Sequence, residues 1–497
     1  MELDAPGCYE ALAARDARWD GVFFVGVAST GIYCRPVCRA KTPKREHCHF
    51  FPHAAAAEAR GFRPCLRCRP ELAPGHAPVD APARLARWLA AQVAAGRLED
   101  ETWEMLAAEA GVTERHLRRV CVAELGAAPA QLARTHRLLL AKQLLADTAL
   151  PVGEVALASG FRSLRRFNGA FREHYGMAPS AARWEKRTGS GAHSGSFRVR
   201  LGYRPPFAWP EMLAYLAGRA IAGVEEITAD EYRRSLKIGA HRGWLRVRHE
   251  PATASLALEL STTLAPVLPR VLGKARAFFD VDARPGHVAE VLGGDALLAP
   301  LLRARPGLRV PGVWHGVEFF MRAIVGQQVS VKAATTLAGR IATRFGEEIA
   351  TPFAGVTRLS PSAKTLAAAS ADELGALGVT SARVAALRAG AGEMAAGRLR
   401  LAAGTLHPEE MIARLQELPG VGEWTAHYIA LRALRWPDAF PHADLGLLKA
   451  VGARSPRALK ERAEAWRPWR GYAAMHLWHH LSFDAARDPN ILTERIP

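Results

Sequence analysis

The stretch LPGVGEWTAHYIALRALRWPDAFPHAD, residues 418–444, decides how the C-terminal half of this chain folds. It opens with a turn rich in Pro and Gly between two apolar, helix-like segments. Pro419 suits the edge of a helix, while Gly420 and Gly422 let the backbone come close to a partner and expose its N–H groups. Amides at the start of a helix can bind a phosphate oxygen. The stretch ends at Asp444, which on its own is more typical of a helix cap or a surface residue.

The turn and the aspartate together resemble the helix–hairpin–helix and Gly/Pro-rich loop signature of a DNA glycosylase superfamily. The resemblance implies that the chain excises damaged bases, each of which must first leave the DNA stack. It implies that Asp444 is catalytic, stabilising an oxocarbenium-like sugar and orienting or deprotonating the attacking water. The hairpin would contact DNA through Leu418, Gly420 and Gly422, and its carbonyls allow a monovalent cation.

The same resemblance assigns a base pocket and a residue that enters the DNA stack. The pocket is expected to contain Trp424, Tyr428 and Trp478, although any one of them alone would more often be core packing. Aromatic faces attract a cationic alkylated base by about 0.5–2 kcal/mol per contact. Residues 319–337 resemble the AlkA-like segment that carries the inserted residue. That position is Gln328 here, where the best-known members have an apolar side chain.

One position predicts the reaction subtype. Members that also cut the DNA backbone carry a Lys two residues after the second Gly of the hairpin, and this chain has Trp424 there. We therefore expect a monofunctional glycosylase that leaves an abasic site. No cysteine follows Cys121, so the iron–sulfur cluster of the endonuclease III relatives is not expected.

The seven cysteines all lie in the first quarter of the chain, which is typical of metal chemistry in a reducing compartment. They are Cys8, Cys34, Cys38, Cys48, Cys65, Cys68 and Cys121. The pairs Cys34-x3-Cys38 and Cys65-x2-Cys68 can close a tetrahedral zinc site. A purely structural zinc ribbon would show the same spacing.

The residues around these pairs are more specific than the spacing. TGIYCRPVCR (30–39) and GFRPCLRC (61–68) resemble the Ada-type methylphosphotriester repair domain. The resemblance implies one zinc ion on the four cysteines, with Cys34 also accepting the methyl group, because zinc keeps the sulfur as a nucleophilic thiolate. Arg35 and Arg39 are expected to bind phosphates. The Pro-Cys-His-Arg motif of O6-methylguanine acceptors is missing, so we do not expect that activity.

Residues 80–187 are helical by periodicity and contain two helix–turn–helix patterns. Their helices are predicted over Met105–Ala110, from Thr113, over Val152–Ser159 and over Ser163–His174. The segment VALASGF (155–161), followed by Phe167 and Phe171, resembles the AraC-type DNA-binding domain. The resemblance implies that each second helix enters a major groove, with Arg165 and Arg166 contacting DNA.

The predicted fold class is multidomain α+β. We expect a zinc-binding methyl-acceptor domain at 1–76, an AraC-type all-α domain at 80–187 and a small, polar linker at 188–196. The strand pattern of 197–300 resembles the α+β subdomain at the N-terminus of the AlkA glycosylases, and 301–497 would be the all-α helix–hairpin–helix domain.

Charge and hydropathy indicate the partner and the compartment. The 497-residue chain has a formal net charge of +18, which favours a polyanionic partner, here double-stranded DNA, although solvated Arg alone could give it. The N-terminus lacks the apolar core of a signal peptide, and no apolar run is long enough to span a membrane. We expect a cytoplasmic, nucleoid-associated protein that binds damaged DNA and promoter sites and contacts RNA polymerase.

These observations predict a DNA alkylation repair and response protein. A 3-methyladenine-type glycosylase would work beside a zinc-bound cysteine that takes methyl from phosphotriesters and switches on transcription. The main alternative is a transcription regulator whose C-terminal half binds DNA without catalysis. A second alternative is a glycosylase whose zinc module only targets DNA.

Overall fold

The computed structural model describes residues 4–16, 19–20, 23–51, 54–70, 81–99, 101–183, 195–402 and 408–487. The chain forms two compact units. We call residues 1–91 with 101–132 the N-terminal unit, and residues 92–100 with 133–497 the C-terminal unit. The division falls inside the predicted AraC-type domain, so the two helix–turn–helix patterns lie in different units. All but the last two residues of the predicted linker lie outside the described residues.

The N-terminal unit begins with a small sheet that carries the cysteine pairs. Its elements are α1 (Ala5–Ala14), β1 (Phe24–Val27), β2 (Ile32–Cys34), β3 (Cys48–Phe51), α2 (Ala54–Ala59) and β4 (Arg63–Pro64). The strand order is β3-β1-β2-β4, with β2 parallel to β4. Because β2 ends at Cys34 and β4 ends one residue before Cys65, this parallel pairing brings the two cysteine pairs to the same end of the sheet.

The helix–turn–helix predictions are confirmed to within a few residues. The helices are α3 (Ala81–Ala94), α4 (Trp103–Glu109), α5 (Glu114–Leu125), α6 (Pro129–Asp147), α7 (Val152–Ala158) and α8 (Leu164–Tyr175). Thr113 and Ser163 cap α5 and α8 by accepting backbone N–H groups of the first turn. Each turn contains a glycine with positive φ, Gly111 at 66° and Gly160 at 85°, a conformation that a side chain would strain.

An antiparallel sheet follows in the C-terminal unit. It comprises β5 (Ser196–Gly202), β6 (Glu225–Ile227), β7 (Glu231–Ile238), β8 (His241–Glu250) and β9 (Ser255–Ser261), in the order β5-β9-β8-β7-β6. Helix α9 (Trp209–Ala217) lies between β5 and β6 in sequence. Four strands match those that the sequence predicts, which are Phe197–Leu201, Arg234–Ile238, Trp244–His249 and Ser255–Leu260. The prediction missed β6 because its three residues are all partly buried, so it lacks the alternation that marks a strand.

The rest of the C-terminal unit is helical. A 3-10 helix (Thr262–Val267) leads into α10 (Leu268–Phe278), α11 (Pro285–Leu292), α12 (Leu298–Ala304), α13 (Gly316–Val325), α14 (Val331–Phe345), α15 (Ala363–Ala368), α16 (Ala371–Ala376) and α17 (Ser381–Ala395). It continues with α18 (Pro408–Gln416), α19 (Glu423–Arg432), α20 (Leu445–Val451), α21 (Pro456–Ala463) and α22 (Arg470–Arg487). Among the described residues, no helix is both long and apolar enough to cross a membrane.

Candidate functional site

Asp444 lies at the junction of the hairpin helix α19 and the short helix α20. It is the N-cap of α20, and its Oδ1 accepts the backbone N–H of Leu447 at 2.9 Å. The indole N–H of Trp424 donates to Oδ2 at 2.9 Å, and that of Trp478 donates to Oδ1 at 3.0 Å. Three neutral N–H groups therefore fix the half-buried carboxylate without neutralising its charge.

The three predicted pocket aromatics come together beside this carboxylate. The rings of Trp424 and Tyr428 are stacked at 5.3 Å, and Trp478 meets Tyr428 edge to face at 6.1 Å. The ring of Phe319 on helix α13, which was not assigned a pocket role from the sequence, lies 5.3 Å from that of Tyr428. All three predicted rings are only half-buried. The three rings form a partly exposed aromatic surface, which we call the aromatic cleft, with one carboxylate at its edge.

Two neighbours of Asp444 were missed by the sequence analysis. A Cβ on Gly446 would lie 3.0 Å from Asp444 Oδ1 and 3.2 Å from the side chain of Leu481, so this glycine keeps space beside the carboxylate. Leu445 is 70% exposed although it is large and apolar. Gly446 has no sequence signal, because its role depends on the α22 side chain of Leu481 that lies opposite it.

Asp438 shows by contrast what a structural carboxylate looks like in this fold. It is buried and accepts from Arg470 Nε at 2.8 Å and from Arg467. Burial raises the pKa of Asp438 despite these arginines. Its charge is held by paired guanidinium groups, whereas Asp444 faces the aromatic cleft.

The hairpin and the predicted insertion loop contact each other. Gln327 Nε2 donates to the carbonyl of Gly420 at 2.7 Å and to Thr425 Oγ1 at 3.1 Å. Arg383 donates to the backbone carbonyl of Gln327. The next residue, Gln328, is exposed and has a φ of 52°, a left-handed conformation that is uncommon outside glycine. Gln327 thus holds the hairpin against the loop that presents Gln328.

The hairpin presents its backbone outward. Gly420 and Gly422 are exposed, and Leu418 is half-buried. Gly420 has a φ of 72°, which a side chain would strain. Gly422 is the N-cap of α19 and provides no side-chain cap, so the first N–H groups of that helix have no capping side chain before them. The monovalent cation at this hairpin stays a prediction.

Cationic side chains surround the inner end of Tyr428. Arg432 Nη1 donates to its hydroxyl at 3.1 Å and also to the hydroxyl of Tyr215. Burial acts to raise the pKa of Tyr428, but the guanidinium groups of Arg432 and Arg219 prevail and lower it to about 8. The pKa of Tyr215 is raised, chiefly by burial. The cleft is therefore anionic at Asp444 and cationic behind Tyr428.

The four predicted zinc ligands form one cluster in the N-terminal unit. The sulfur atoms of Cys34, Cys38, Cys65 and Cys68 all lie within 4.8 Å of one another. That spacing fits a single tetrahedral zinc ion, and four sulfurs are a donor set that zinc prefers. Of these four, only Cys34 is not buried. Its side chain is therefore the most accessible of the four.

The structure corrects the expected role of Arg35. Its side chain is 0% exposed, and Nε donates to Asp20 Oδ1 at 2.8 Å. Nη1 donates to the carbonyl of Cys68 at 3.2 Å, and its backbone N–H donates to the Cys68 sulfur at 3.4 Å. Arg35 therefore stabilises the cysteine cluster through these hydrogen bonds, and its buried guanidinium is not accessible to a phosphate. Arg39 remains exposed, with a weak ion pair of 3.5 Å to Glu124.

The side chains of α8 that are predicted to contact DNA are exposed to solvent. Arg165 and Arg166 are exposed in the first turn of α8, while Phe167 and Phe171 on the opposite face are fully buried. The helix is thus amphipathic with a basic outer face, as a recognition helix requires. The described structure thus combines a cysteine cluster, two helix–turn–helix units and a helical region that contains the hairpin.

Known families cover most of the chain. Residues 7–71 match the metal binding domain of Ada, and residues 106–184 match a helix-turn-helix domain. Residues 198–315 match the AlkA N-terminal domain, and residues 321–468 match the HhH-GPD superfamily of base excision DNA repair proteins. These matches confirm the predicted zinc-binding domain, helix–turn–helix DNA-binding domain and glycosylase domain. They also confirm the multidomain α+β fold class.

Individual relatives agree. The chain is 38% identical over 491 residues to a probable bifunctional transcriptional activator/DNA repair enzyme AlkA of Mycobacterium tuberculosis, covering 97% of both chains. It is 36% identical over 280 residues to the DNA-3-methyladenine glycosylase 2 of Escherichia coli, covering 56% of this chain and 96% of that one. The chain belongs to the family of bifunctional transcriptional activator/DNA repair enzymes of the AlkA type.

A solved structure supports the fold of the C-terminal part. The 3-methyladenine DNA-glycosylase from Archaeoglobus fulgidus superposes with a TM-score of 0.50 and 19% identity, covering 57% of this chain and 98% of that chain. At this identity the similarity shows the fold alone.

Proposed function

We propose that the C-terminal unit hydrolyses the N-glycosidic bond of alkylated bases such as 3-methyladenine and leaves an abasic site. The observation that carries this proposal is the Asp444 carboxylate, held by the indole N–H groups of Trp424 and Trp478 at the edge of the aromatic cleft. A module that only bound DNA would not need a carboxylate there, since a negative charge repels phosphates.

Each residue of the cleft has a role in this reaction. The flipped base lies against Trp424, Tyr428 and Trp478, whose faces attract the positive charge of an alkylated ring. As the glycosidic bond breaks, its electron pair leaves with the base and the sugar becomes cationic. Asp444 stabilises that cation and takes a proton from the water that adds to the sugar. Gln328 fills the space that the base has left, and Leu418, Gly420 and Gly422 contact the phosphates.

Base release from alkylated duplex DNA tests the proposal, with Asp444→Asn as the variant. Asn caps a helix as well as Asp does, so α20 should stay folded. We expect release by the wild type and its near-loss in the variant. No release by the wild type, with DNA binding intact, would instead support a regulator with an inactive C-terminal half.

We propose that Cys34 accepts a methyl group from DNA methylphosphotriesters. The cluster's geometry supports one zinc ion on Cys34, Cys38, Cys65 and Cys68, and bound zinc would keep the sulfurs as thiolates at neutral pH. The Cys34 sulfur attacks the methyl carbon, an S–C bond forms, the C–O bond breaks and the phosphate oxygen keeps the electron pair. The repaired phosphate regains its negative charge, while the cluster loses one negative charge, so its repulsion from the other phosphates of the DNA falls. Arg39, which is exposed, would bind a phosphate nearby.

Transfer of labelled methyl from alkylated DNA tests this step. Cys34→Ala should abolish the label on the protein, while Cys48→Ala, a half-buried cysteine outside the cluster, should keep it. A zinc-loaded wild type that takes up no methyl would show that the module only targets DNA.

We propose that the methylated protein activates transcription in the cytoplasm, on nucleoid DNA. The basic faces of α5 and α8, with Arg165 and Arg166 on the latter, would read promoter DNA, and RNA polymerase would be the protein partner. Transcription in vitro from a promoter that the protein binds should rise when Cys34 has been methylated. Equal transcription before and after methylation would contradict the switch.

A further inference from the structure

The second helix–turn–helix half is packed into the base-excision part of the C-terminal unit. One continuous cluster of buried side chains includes Leu144 of α6, Val155 of α7 and Phe171 of α8, together with Phe197 of β5 and Leu264 of the 3-10 helix. Helix α7 packs directly against that 3-10 helix. A helix–turn–helix domain that was attached only through its linker would not share a hydrophobic core with the sheet.

Close backbone contacts also join the residues just after α3 to helix α10 of the same unit. Gly273 of α10 faces Ala95, just after α3, so tightly that a Cβ would lie 2.6 Å from the Ala95 Cα. A Cβ on Gly96 would lie 2.8 Å from Pro269 Cβ, again across the same contact. Neither Gly273 nor Gly96 has room for a side chain, so these contacts require glycine at both positions.

Polar groups complete the interface. Strand β5 is the edge of its sheet, and Gln143 Nε2 of α6 donates to the carbonyl of Arg200 on that strand at 2.9 Å. A sheet edge offers backbone groups that must find partners, and α6 provides one. His136 of α6 is desolvated here, and its pKa is lowered by burial first and then by Arg276 and Arg137. An uncharged histidine suits a contact that already contains two arginines.

We propose that the second helix–turn–helix half, α6 to α8, serves the glycosylase as a DNA-binding element. Helix α8 would then contribute affinity to base excision as well as to promoter recognition. The inference rests on the proposed glycosylase activity. Because α8 is fixed through its buried Phe167 and Phe171 to the core that also supports the sheet, its phosphate contacts hold the cleft near DNA at high effective concentration. Arg165 and Arg166 are the contacting residues.

The test compares base release from long alkylated duplex by the full-length wild type, an Arg165→Gln/Arg166→Gln double variant and the control Arg172→Gln, which changes an exposed residue in the last turn of the same helix. We expect the double variant to need roughly tenfold more DNA for half-maximal release, with an unchanged rate at saturation. The slope of log affinity against log salt concentration is negative, and its magnitude should fall by about 1.8, since each of the two lost phosphate contacts contributes about 0.9. The control should match the wild type.

Half-saturation and a salt slope equal to those of the wild type would overturn the proposal. If the wild type itself released no base, the proposed function would fail instead, so the two failures are distinguishable.

A second experiment tests the docking alone. A protease site is placed in the linker at 188–194 of the full chain, and the cut protein is passed over a sizing column. We expect the two pieces to elute together, and to separate in Gly273→Val, whose new side chain would overlap Ala95. Gly286→Val is the control, because a Cβ there meets nothing within 4 Å. Separation of the cut wild type would overturn the proposal.

Discussion

Trp424 donates its indole N–H to Asp444 across 20 residues of chain, from the first turn of the hairpin helix α19 to the N-cap of α20. Trp424 occupies the position at which family members that cut the DNA backbone have a lysine, and here it orients the Asp444 carboxylate. Its ring also stacks on Tyr428, so one side chain contributes to the aromatic cleft and positions the charge.

Trp424→Phe separates these two roles, because it keeps an aromatic face and removes the N–H. A hydrogen bond to a charged group contributes about 1.5–3 kcal/mol, so we expect base release to fall by about 10- to 100-fold. Single-turnover release measures the effect. Trp436→Phe, a partly buried tryptophan of the same unit, is the control and should release base normally. An unchanged rate in Trp424→Phe would show that the indole does not position Asp444.

Gly446→Ala should impair the same carboxylate by crowding. The new Cβ would lie 3.0 Å from Asp444 Oδ1, with Leu481 at 3.2 Å, so the carboxylate must shift. Small displacements of catalytic groups are costly, and we expect about tenfold slower release. Gly375→Ala in α16 meets nothing within 4 Å and should leave release unchanged. Full activity of Gly446→Ala would mean that the site tolerates the shift.

Gln328→Gly should change stability and activity in opposite directions. A non-glycine residue in the left-handed region costs about 1–2 kcal/mol, so removing the side chain at a φ of 52° should raise the free energy of unfolding by about 1 kcal/mol. Release from duplex DNA should fall, because nothing fills the gap in the stack. Urea unfolding and base release measure the two effects. Gln416→Gly in helix α18 should instead destabilise, and a destabilised Gln328→Gly would contradict the strain argument.

Acid should destabilise the C-terminal unit through its buried histidines. Burial lowers the pKa of His427 to about 4, and the same cause lowers the pKa values of His476 and His479 to about 4. Between pH 6.5 and 4 the unfolded chain therefore binds protons that the folded chain does not, and the free energy of unfolding falls as the pH drops.

Urea unfolding at pH 7 and pH 5 checks this expectation for the wild type and for His427→Gln. His427 Nδ1 accepts the backbone N–H of Phe440 at 3.4 Å, a role that requires the unprotonated nitrogen. The variant should lose less stability between the two pH values than the wild type. His287→Gln changes an exposed histidine and should behave as the wild type does. An equal loss in His427→Gln would refute the assignment.

Much of the fold could be predicted from the sequence because its signals are local. The cysteine spacing gave a cluster, the capping residues Thr113 and Ser163 marked where two helices begin, and alternating apolar residues marked four of the five sheet strands. The hairpin motif and Asp444 pointed to the glycosylase cleft. Each of these features depends on residues within a few positions of one another, or on a motif that a family shares.

Only the tertiary structure decided which side chains face each other across the chain. Arg35, beside Cys34 in sequence, turns inward to Asp20 and so supports the cluster instead of binding phosphate. Gln327 reaches the hairpin 93 residues away, and Gly273 admits the backbone of Ala95. The sequence by itself determined the modules and their chemistry, since those follow from residue type and local spacing. Burial, pairing and docking needed the folded chain, because they depend on residues that are distant in sequence and close in space.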